Sequence, residues 1–192
     1  MNYFRPATFA IVMLLYLWYP YSMIRGQEKI LDNGTSYKFK PRPVDPVDAF
    51  RGRYIILNYD IFTLNRISED SFNCNYGDEV YAILAEDSEG FAYLSDISLN
   101  LPDGKDYLIL SCNNIWEDKI NLKAPENMRK YFLNESIAPE AERIYNQLLR
   151  GRSSSDSVYV YVDTKVYNGS VLLEQVYFKD QKVEDYIRSL KK

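Results

Sequence analysis

The chain has 192 residues, with 23 Lys and Arg against 27 Asp and Glu, no His and two Cys. The absence of His excludes Ser-His-Asp and Cys-His catalysis and any imidazole metal ligand, and two Cys are too few for a tetrathiolate zinc site. A net charge of -4 disfavours the basic surface that nucleic-acid binding requires, while a hydrophobic fraction of 46% is enough for a folded core.

An apolar segment lies near the N-terminus, where residues 7–24 contain no charged side chain between Arg5 and Arg25. As a helix rising ~1.5 Å per residue, this segment would span about 27 Å, close to the ~30 Å of a bilayer's hydrocarbon core. Its far end is rich in Tyr and Trp, which favour membrane interfaces. The pattern therefore predicts a transmembrane helix at 7–24 after a short flank at 1–6. A helix buried in a soluble domain is disfavoured, because such a helix usually keeps a polar face.

The segment lacks the features of a cleaved leader. The arrangement of small residues that a signal peptidase prefers is absent from 20–24. No Cys follows the segment until Cys74, so a lipoprotein anchor at this junction is not supported either. Arg5 precedes the segment, whereas Arg25 and Lys29 follow it, so basic residues lie on both sides. We expect the N-terminus inside and the body outside. This predicts a single-pass protein of the cytoplasmic (inner) membrane whose body faces the periplasm or the cell exterior.

After a tether at 25–36, the body at 37–192 has the texture of a β-rich domain. Short runs of β-branched, aromatic and Leu residues are separated by turn-forming residues such as Asn168 and Gly169. The predicted strands are 37–40, 53–65, 79–85, 90–97, 107–116, 128–133, 157–164 and 170–178.

Two segments break the strand pattern and predict helices. Apolar residues recur at helical spacing over 137–149, with Pro139 and Glu140 in the first turn and Gly151 after the last. A shorter helix is predicted at 183–190, where basic residues at the end favour the helix dipole. The expected fold is mainly β, of the α+β class. It comprises an N-terminal transmembrane helix, a β-barrel or sandwich-like domain, an amphipathic helix before the last strands and a short C-terminal helix.

The two cysteines, Cys74 and Cys112, leave two interpretations open. A disulfide between them would close a long loop and stabilise the fold by roughly 3 to 4 kcal/mol in an oxidising compartment. Alternatively, Cys112 lies in a predicted strand, where a buried thiol is an ordinary core residue.

Several short stretches of the sequence occur in a specific order. Residues 28–31 and Gly34 lead to a stretch at 43–48 that contains Pro and Asp, then to the strand sequence at 51–59, and an aromatic strand at 130–135 precedes the longer helix. Together these stretches resemble the GDYXXLXY protein family, over nearly the whole chain from the apolar segment onward. The resemblance implies a single-pass, membrane-anchored bacterial protein with an extracytoplasmic β-rich domain. It transfers no established biochemical activity.

The residues of this motif are the candidate site: Pro43, Asp45, Pro46, Asp48, Gly52, Tyr54, Leu57, Tyr59, Tyr131 and Glu135. Arg53 stands where the motif has Asp, so a role of that carboxylate does not transfer to this chain. Because side chains alternate along a strand, Tyr54 and Tyr59 are predicted on opposite faces, with Leu57 on the face of Tyr59. The motif then either organises the fold or forms a binding or catalytic site.

Other chemistry has weaker support in the sequence. Asp45, Asp48 and Asp60 offer oxygen ligands for a divalent cation, but acidic turn residues more often cap the backbone or face solvent. A Ser-Lys hydrolase needs no His, yet the Ser-Met-Pro context expected of such an enzyme is missing. The 18 Tyr residues suit both strand packing and a ligand-binding surface.

We therefore expect a non-enzymatic interaction domain that recognises a partner protein in or near its own membrane, with no cofactor, metal or nucleic acid. The alternative is a domain that binds a small ligand or a glycan or, with less support, a hydrolase without His. A broad, exposed apolar strand edge would favour the protein partner. A cleft that joins Tyr side chains with Asp45 or Asp48 would favour the ligand.

Overall fold

The computed structural model describes residues 4–42, 54–65, 74–116, 119–150 and 160–190. Its helices are α1 (Phe4–Asn33), α2 (Glu126–Arg129), α3 (Ala138–Arg150) and α4 (Val183–Leu190). Its strands are β1 (Thr35–Phe39), β2 (Pro41–Arg42), β3 (Tyr54–Ile56), β4 (Asn58–Tyr59), β5 (Thr63–Asn65), β6 (Glu79–Glu86), β7 (Ala92–Ser98), β8 (Tyr107–Trp116), β9 (Lys119–Lys123), β10 (Lys130–Phe132), β11 (Val160–Tyr167), β12 (Ser170–Phe178) and β13 (Gln181–Lys182).

Helix α1 extends well beyond the predicted apolar segment, because it continues to Asn33. The tether predicted at 25–36 is therefore mostly helix. The straight-chain residues of this segment lose little rotamer freedom in a helix. The Arg25 guanidinium also lies 3.9 Å from the Glu28 carboxylate, one turn away. Among the residues that the structure describes, no helix combines the length and the apolarity that crossing a membrane requires.

Two larger antiparallel sheets form most of the body. The first has the strand order β1-β11-β12-β13 and the second β5-β9-β8-β6-β7, and two further pairs are β3 with β10 and β2 with β4. The larger sheets meet at two bridges, Lys38 of β1 with Phe91, and Gly169 of the β11–β12 turn with Leu108 of β8. They enclose a shared hydrophobic core in a near-barrel arrangement, and the mainly β prediction is confirmed.

The amphipathic helices pack their apolar faces onto this core. In α3, Ala141, Ile144 and Tyr145 are buried, and in α4 Val183 and Ile187 are completely buried. Helix α3 contacts β3 and α4, and α4 contacts β12. Both helices predicted from the sequence are confirmed.

Two of the predicted strands agree with the structure over their full length. Predictions at 107–116 and 170–178 match β8 and β12. The strand predicted at 128–133 is wrong in its first half, which is the one-turn helix α2, and only Lys130–Phe132 pairs with another strand. Of the strand predicted at 157–164, residues 157–159 lie outside the described ranges.

Strands β2, β9 and the two-residue β13 were not predicted. Strand β2 has only two residues, too few to show a period. Strand β9 contains more polar than apolar residues, although Ile120 and Leu122 alternate toward the core. The composition of β9 therefore does not indicate a strand. Its pairing with both β8 and β5 nevertheless places it inside the five-stranded sheet.

Cys74 and Cys112 form a disulfide, with their Cα atoms 6.2 Å apart. Both residues are buried. The Cys112 amide donates to the Asp78 carbonyl, and the Cys112 carbonyl accepts from the Gly77 amide, both at 2.8 Å. The disulfide and these hydrogen bonds together fasten β8 to the turn that precedes β6.

Reducing this disulfide should lower the free energy of unfolding by about 4 kcal/mol, because opening the loop returns conformational entropy to the unfolded chain. The two cysteines are 38 residues apart in sequence. Urea unfolding followed by circular dichroism, with and without dithiothreitol, measures the difference. A Cys74→Ala/Cys112→Ala variant should unfold like the reduced protein and show no further response to dithiothreitol. Equal urea midpoints in both conditions would contradict the expectation.

Gly34 joins α1 to β1 where backbone segments approach closely. Its amide donates to the Ile30 carbonyl at 2.9 Å. A Cβ at position 34 would overlap the Ile30 carbonyl oxygen and lie 3.2 Å from the Val166 carbonyl oxygen of β11. Only a residue without a Cβ therefore lets α1 run directly into the sheet.

Gly34→Ala should destabilise the protein by about 1–3 kcal/mol, because backbone atoms cannot move aside as a flexible side chain would. Gly26→Ala, within α1, is the matched control, since its Cβ would meet nothing within 4 Å. That control should gain up to ~1 kcal/mol from helix propensity. Thermal unfolding of the two variants in the same detergent makes the comparison. Equal melting temperatures would overturn the steric explanation of the junction.

Candidate functional site

The motif segment at 54–65 passes through three separate strand pairings. Strand β3 pairs with β10, β4 with β2, and β5 with β9, and a 3-10 turn at Asp60–Phe62 separates β4 from β5. Between β3 and β4, the Leu57 amide donates to the Arg129 carbonyl at 2.9 Å. The single strand predicted at 53–65 is therefore wrong, because each short piece has a different partner. The segment joins parts of the chain that are far apart in sequence.

Leu57 and Tyr59 lie on the core side of this segment. Leu57 is completely buried and Tyr59 is 6% exposed. The Tyr59 ring packs edge-on against Phe39 and Phe62, with centroid distances of 6.0 and 5.9 Å. Its hydroxyl donates to the Met128 carbonyl at 3.0 Å, so the polar end of the ring has a partner inside the core.

Tyr145 of α3 belongs to the same buried aromatic group. Its hydroxyl donates to the Arg42 carbonyl of β2 at 3.2 Å, and its ring stacks on Phe178 with centroids 6.4 Å apart. Burial raises the pKa of Tyr145, and burial followed by the electrostatic effect of Tyr145 raises the pKa of Tyr59 well above its usual value. Both phenols therefore stay protonated at neutral pH and act as hydrogen-bond donors.

Tyr54 lies on the opposite face of the segment, as alternation along a strand predicts. Its ring centroid is 5.6 Å from that of Phe132, directly across the β3–β10 pair. The Lys130 ammonium lies 5.5 Å from the Tyr54 centroid. Tyr54 is half-buried, but Phe132 is 69% exposed. We call Tyr54, Lys130 and Phe132 the aromatic patch.

Tyr131, the motif tyrosine of β10, contacts the C-terminal helix. Its hydroxyl donates to Glu184 Oε1 at 2.7 Å, and Gln175 Nε2 donates to Glu184 Oε2 at 2.9 Å. Burial, and then the Glu184 carboxylate, raise the pKa of Tyr131. Sequence reasoning missed Glu184, which is 53 residues from Tyr131 and has no local pattern that marks it. Glu135 is exposed on the turn before α3.

The remaining motif residues lie outside the described ranges: Pro43, Asp45, Pro46, Asp48, Gly52 and Arg53. Asp60, the third acidic residue considered for a cation, pairs with Arg42 at 3.0 Å. Within the ranges that the structure describes, no group of three His, Cys, Asp or Glu side chains could hold a metal ion.

A second aromatic surface lies on the outer face of the four-stranded sheet. Tyr161 and Tyr177 stack across β11 and β12 with centroids 4.9 Å apart, and Phe91 packs edge-on against Tyr161. Burial, followed by the carboxylates of Asp180 and Asp163, raises the pKa of Tyr161 to about 12. Stacked tyrosines beside carboxylates suit sugars or cationic groups. The sequence signal for this surface was only the alternation of Val and Tyr at the start of the strand.

The comparisons with known proteins decide the family. Residues 16–176 match the family model described as GDYXXLXY protein. The chain belongs to the GDYXXLXY family. No curated protein and no solved structure matches it significantly. In this member, the described part of the GDYXXLXY motif divides between the core, at Leu57 and Tyr59, and the surface, at Tyr54.

Tyr59→Phe should destabilise this GDYXXLXY protein by about 1–3 kcal/mol, because the Met128 carbonyl would be buried without its donor. The folded-state pKa of Tyr59 is raised above the usual 10.0. Its contribution to stability is therefore complete below that pH and is lost above it, by up to about 1.4 kcal/mol per pH unit. Urea unfolding at about pH 8 and about pH 11 should show a smaller alkaline loss in Tyr59→Phe than in the wild type.

Tyr54→Phe is the matched control for this experiment. Within the described residues the Tyr54 hydroxyl makes no hydrogen bond, so its removal should change stability by less than ~0.5 kcal/mol. The two variants lose the same atom from the same motif. If they were equally stable, the buried hydrogen bond of Tyr59 would contribute nothing measurable.

Proposed function

We propose that this protein is anchored in a membrane by the uncharged part of α1, holds its β-rich body outside the cytoplasm and recognises a partner protein of the same membrane. Recognition uses the aromatic patch. The observation that carries the proposal is the 69% exposure of Phe132, a large apolar ring packed directly on a motif tyrosine. The proposed role is non-enzymatic and requires neither cofactor nor metal.

The exposed side chains of α1 support the anchor. Large apolar residues from Phe9 to Ile24 are between 49% and 79% exposed. Leaving apolar surface in water costs roughly 25 cal/mol per Å², and a bilayer removes that cost. The stretch carries no charged side chain, and Trp18 packs near Tyr21, at the end of the stretch where interface-seeking rings are expected.

The disulfide between Cys74 and Cys112 supports the orientation of the body. Disulfides form and persist in the periplasm and outside the cell, whereas bacterial cytosol keeps thiols reduced. A bridge that fastens β8 to the turn before β6 is therefore consistent with a body folded outside the cytoplasm.

The connection between α1 and the body restricts the choice of partner. Residues 25–33 continue α1 for about 14 Å at ~1.5 Å per residue. Gly34 then passes the chain directly into β1. A body held this close to the bilayer meets other membrane proteins more readily than soluble ones.

The chemistry of the aromatic patch suits one kind of binding segment. Phe132 and the exposed side of Tyr54 offer apolar surface, and Lys130 adds a cation at its margin. Aromatic residues are enriched at protein interfaces, and charged residues are depleted at the centres of those interfaces. We infer that the partner contributes an apolar side chain to cover Phe132 and a carboxylate to meet Lys130.

A small-ligand or glycan-binding role is the alternative, and one observation favours it. Tyr161 and Tyr177 stack beside Asp163, whose Oδ1 is buried without a hydrogen-bond partner among the described residues. Burial raises the pKa of Asp163. Such a surface could hold a polar ligand that supplies the missing donor.

Photo-crosslinking from the aromatic patch tests the proposal. A photoreactive phenylalanine analogue at position 132 should trap one discrete membrane protein in cells. The same analogue at position 76, where Tyr76 is 84% exposed, is the matched control and should trap no such species. Tyr54→Ala should reduce the crosslink from position 132 by about tenfold or more, because truncating a central aromatic contact costs ~2 kcal/mol.

Equal crosslinking from positions 76 and 132, or a crosslink unaffected by Tyr54→Ala, would contradict recognition through the aromatic patch. If no protein were trapped, a glycan screen would distinguish the alternative. Glycan binding abolished by Tyr161→Ala and retained in Phe132→Ala would assign the function to the Tyr161–Tyr177 surface instead.

A further inference from the structure

A groove of about 370 Å³ lies where α1 meets the β11–β12 turn. One wall is the end of α1, with Met23, Gly26 and Lys29, and the other is the turn, with Tyr167, Asn168 and Ser170. The lining of the groove begins at Met23, one residue before the uncharged stretch of α1 ends at Ile24. Its apolar end at Met23 is therefore nearest to the stretch proposed to lie in the bilayer.

Gly26 lines this groove at a point where a side chain would have free space. Glycine inside a helix is unfavourable by roughly 1 kcal/mol relative to Ala, so its presence normally has a local cause. At Gly26 a Cβ would meet nothing within 4 Å, and its backbone does not have the positive φ that favours glycine. Close packing and backbone geometry are thus excluded as causes. What a side chain at position 26 would change is the free space of the groove.

Every polar side chain that lines the groove, Gln27 and Tyr167 included, carries a hydrogen-bond donor group. Lys29, Asn168 and Ser170 contribute an ammonium, an amide and a hydroxyl, and none of these side chains has a partner within the described ranges. No carboxylate of the described residues lines the groove. Unpaired donors around one cation form a surface for an anion with several acceptor oxygens.

We propose that this groove binds the phosphodiester headgroup of an anionic phospholipid. The proposal rests on the membrane anchor described above, since that anchor places Met23 at the boundary between acyl chains and headgroups. Lys29 pairs with the phosphate charge, while Asn168 and Ser170 donate to its oxygens. Met23 contacts the first carbons of the acyl chains, and the absence of a side chain at Gly26 leaves room for the glycerol.

Native mass spectrometry of the full chain in detergent tests the proposal, with dioleoyl phosphatidylglycerol as the probe. The wild type should retain one lipid. Lys29→Gln should reduce the retained fraction about tenfold, because losing one charge-assisted hydrogen bond weakens binding by about that factor. Gly26→Phe should have a similar effect because its ring fills the groove. Helix content by circular dichroism verifies that both variants are folded.

Arg25→Gln is the matched control for charge. It removes the same charge one turn away, from a side chain that does not line the groove, and should retain the lipid like the wild type. Equal losses in Arg25→Gln and Lys29→Gln would overturn the proposal in favour of diffuse attraction. Displacement of the lipid by excess inorganic phosphate would overturn it in favour of a free-anion site.

Flotation with phosphatidylglycerol liposomes separates this inference from the anchor. A protein that floats with the liposomes but retains no lipid in the mass spectrometer would refute the groove site and leave the anchor standing. A protein that stays in the aqueous fraction would refute the anchor and, with it, the headgroup site.

Discussion

The hydrogen bond from the Tyr59 hydroxyl to the Met128 carbonyl joins two parts of the chain that are 69 residues apart. A buried carbonyl without a donor is costly, so the position of α2 depends on that hydroxyl. Helix α2 leads directly into β10, and the pairing of β10 with β3 positions both the aromatic patch and Tyr131. The surface proposed for recognition is thus held in place by a residue that contacts no partner itself.

The sequence predicted those elements that are long and continuous between turn residues. Helices α3 and α4 each bury one apolar face, whereas β12 buries Val171 and then, past a bulge, Val176 and Phe178. The sequence located these three elements and β8 closely. It failed where the choice of hydrogen-bond partner decides the structure. The run at 53–65 has the composition of one strand, but three different neighbours divide it, and no local pattern reveals those neighbours. Residues 25–33, predicted as a tether, continue α1 as a helix, because the composition of a polar helical segment does not distinguish it from a tether.

The sequence predicted on which face of the strand the candidate residues lie, but not which residues they contact. Alternation along the chain correctly separated Tyr54 from Leu57 and Tyr59. The contact between Tyr131 and Glu184, and the stack of Tyr161 on Tyr177, depend on tertiary packing and on strand register, which are set by distant segments. Family resemblance marked Gly34 without a reason, and the structure supplies one in the close approach of the Ile30 and Val166 carbonyl groups.

The junction at Gly34 also has a mechanical consequence. A hydrogen-bonded helix end followed at once by a paired strand contains no slack, so α1 and the four-stranded sheet turn together as a lever. Any change in the tilt of the helix swings the far edge of the sheet, and any rotation about the helix axis changes the direction in which the body faces. A flexible linker would average such motions away. In this chain the orientation of one helix is instead transmitted to every surface of the domain.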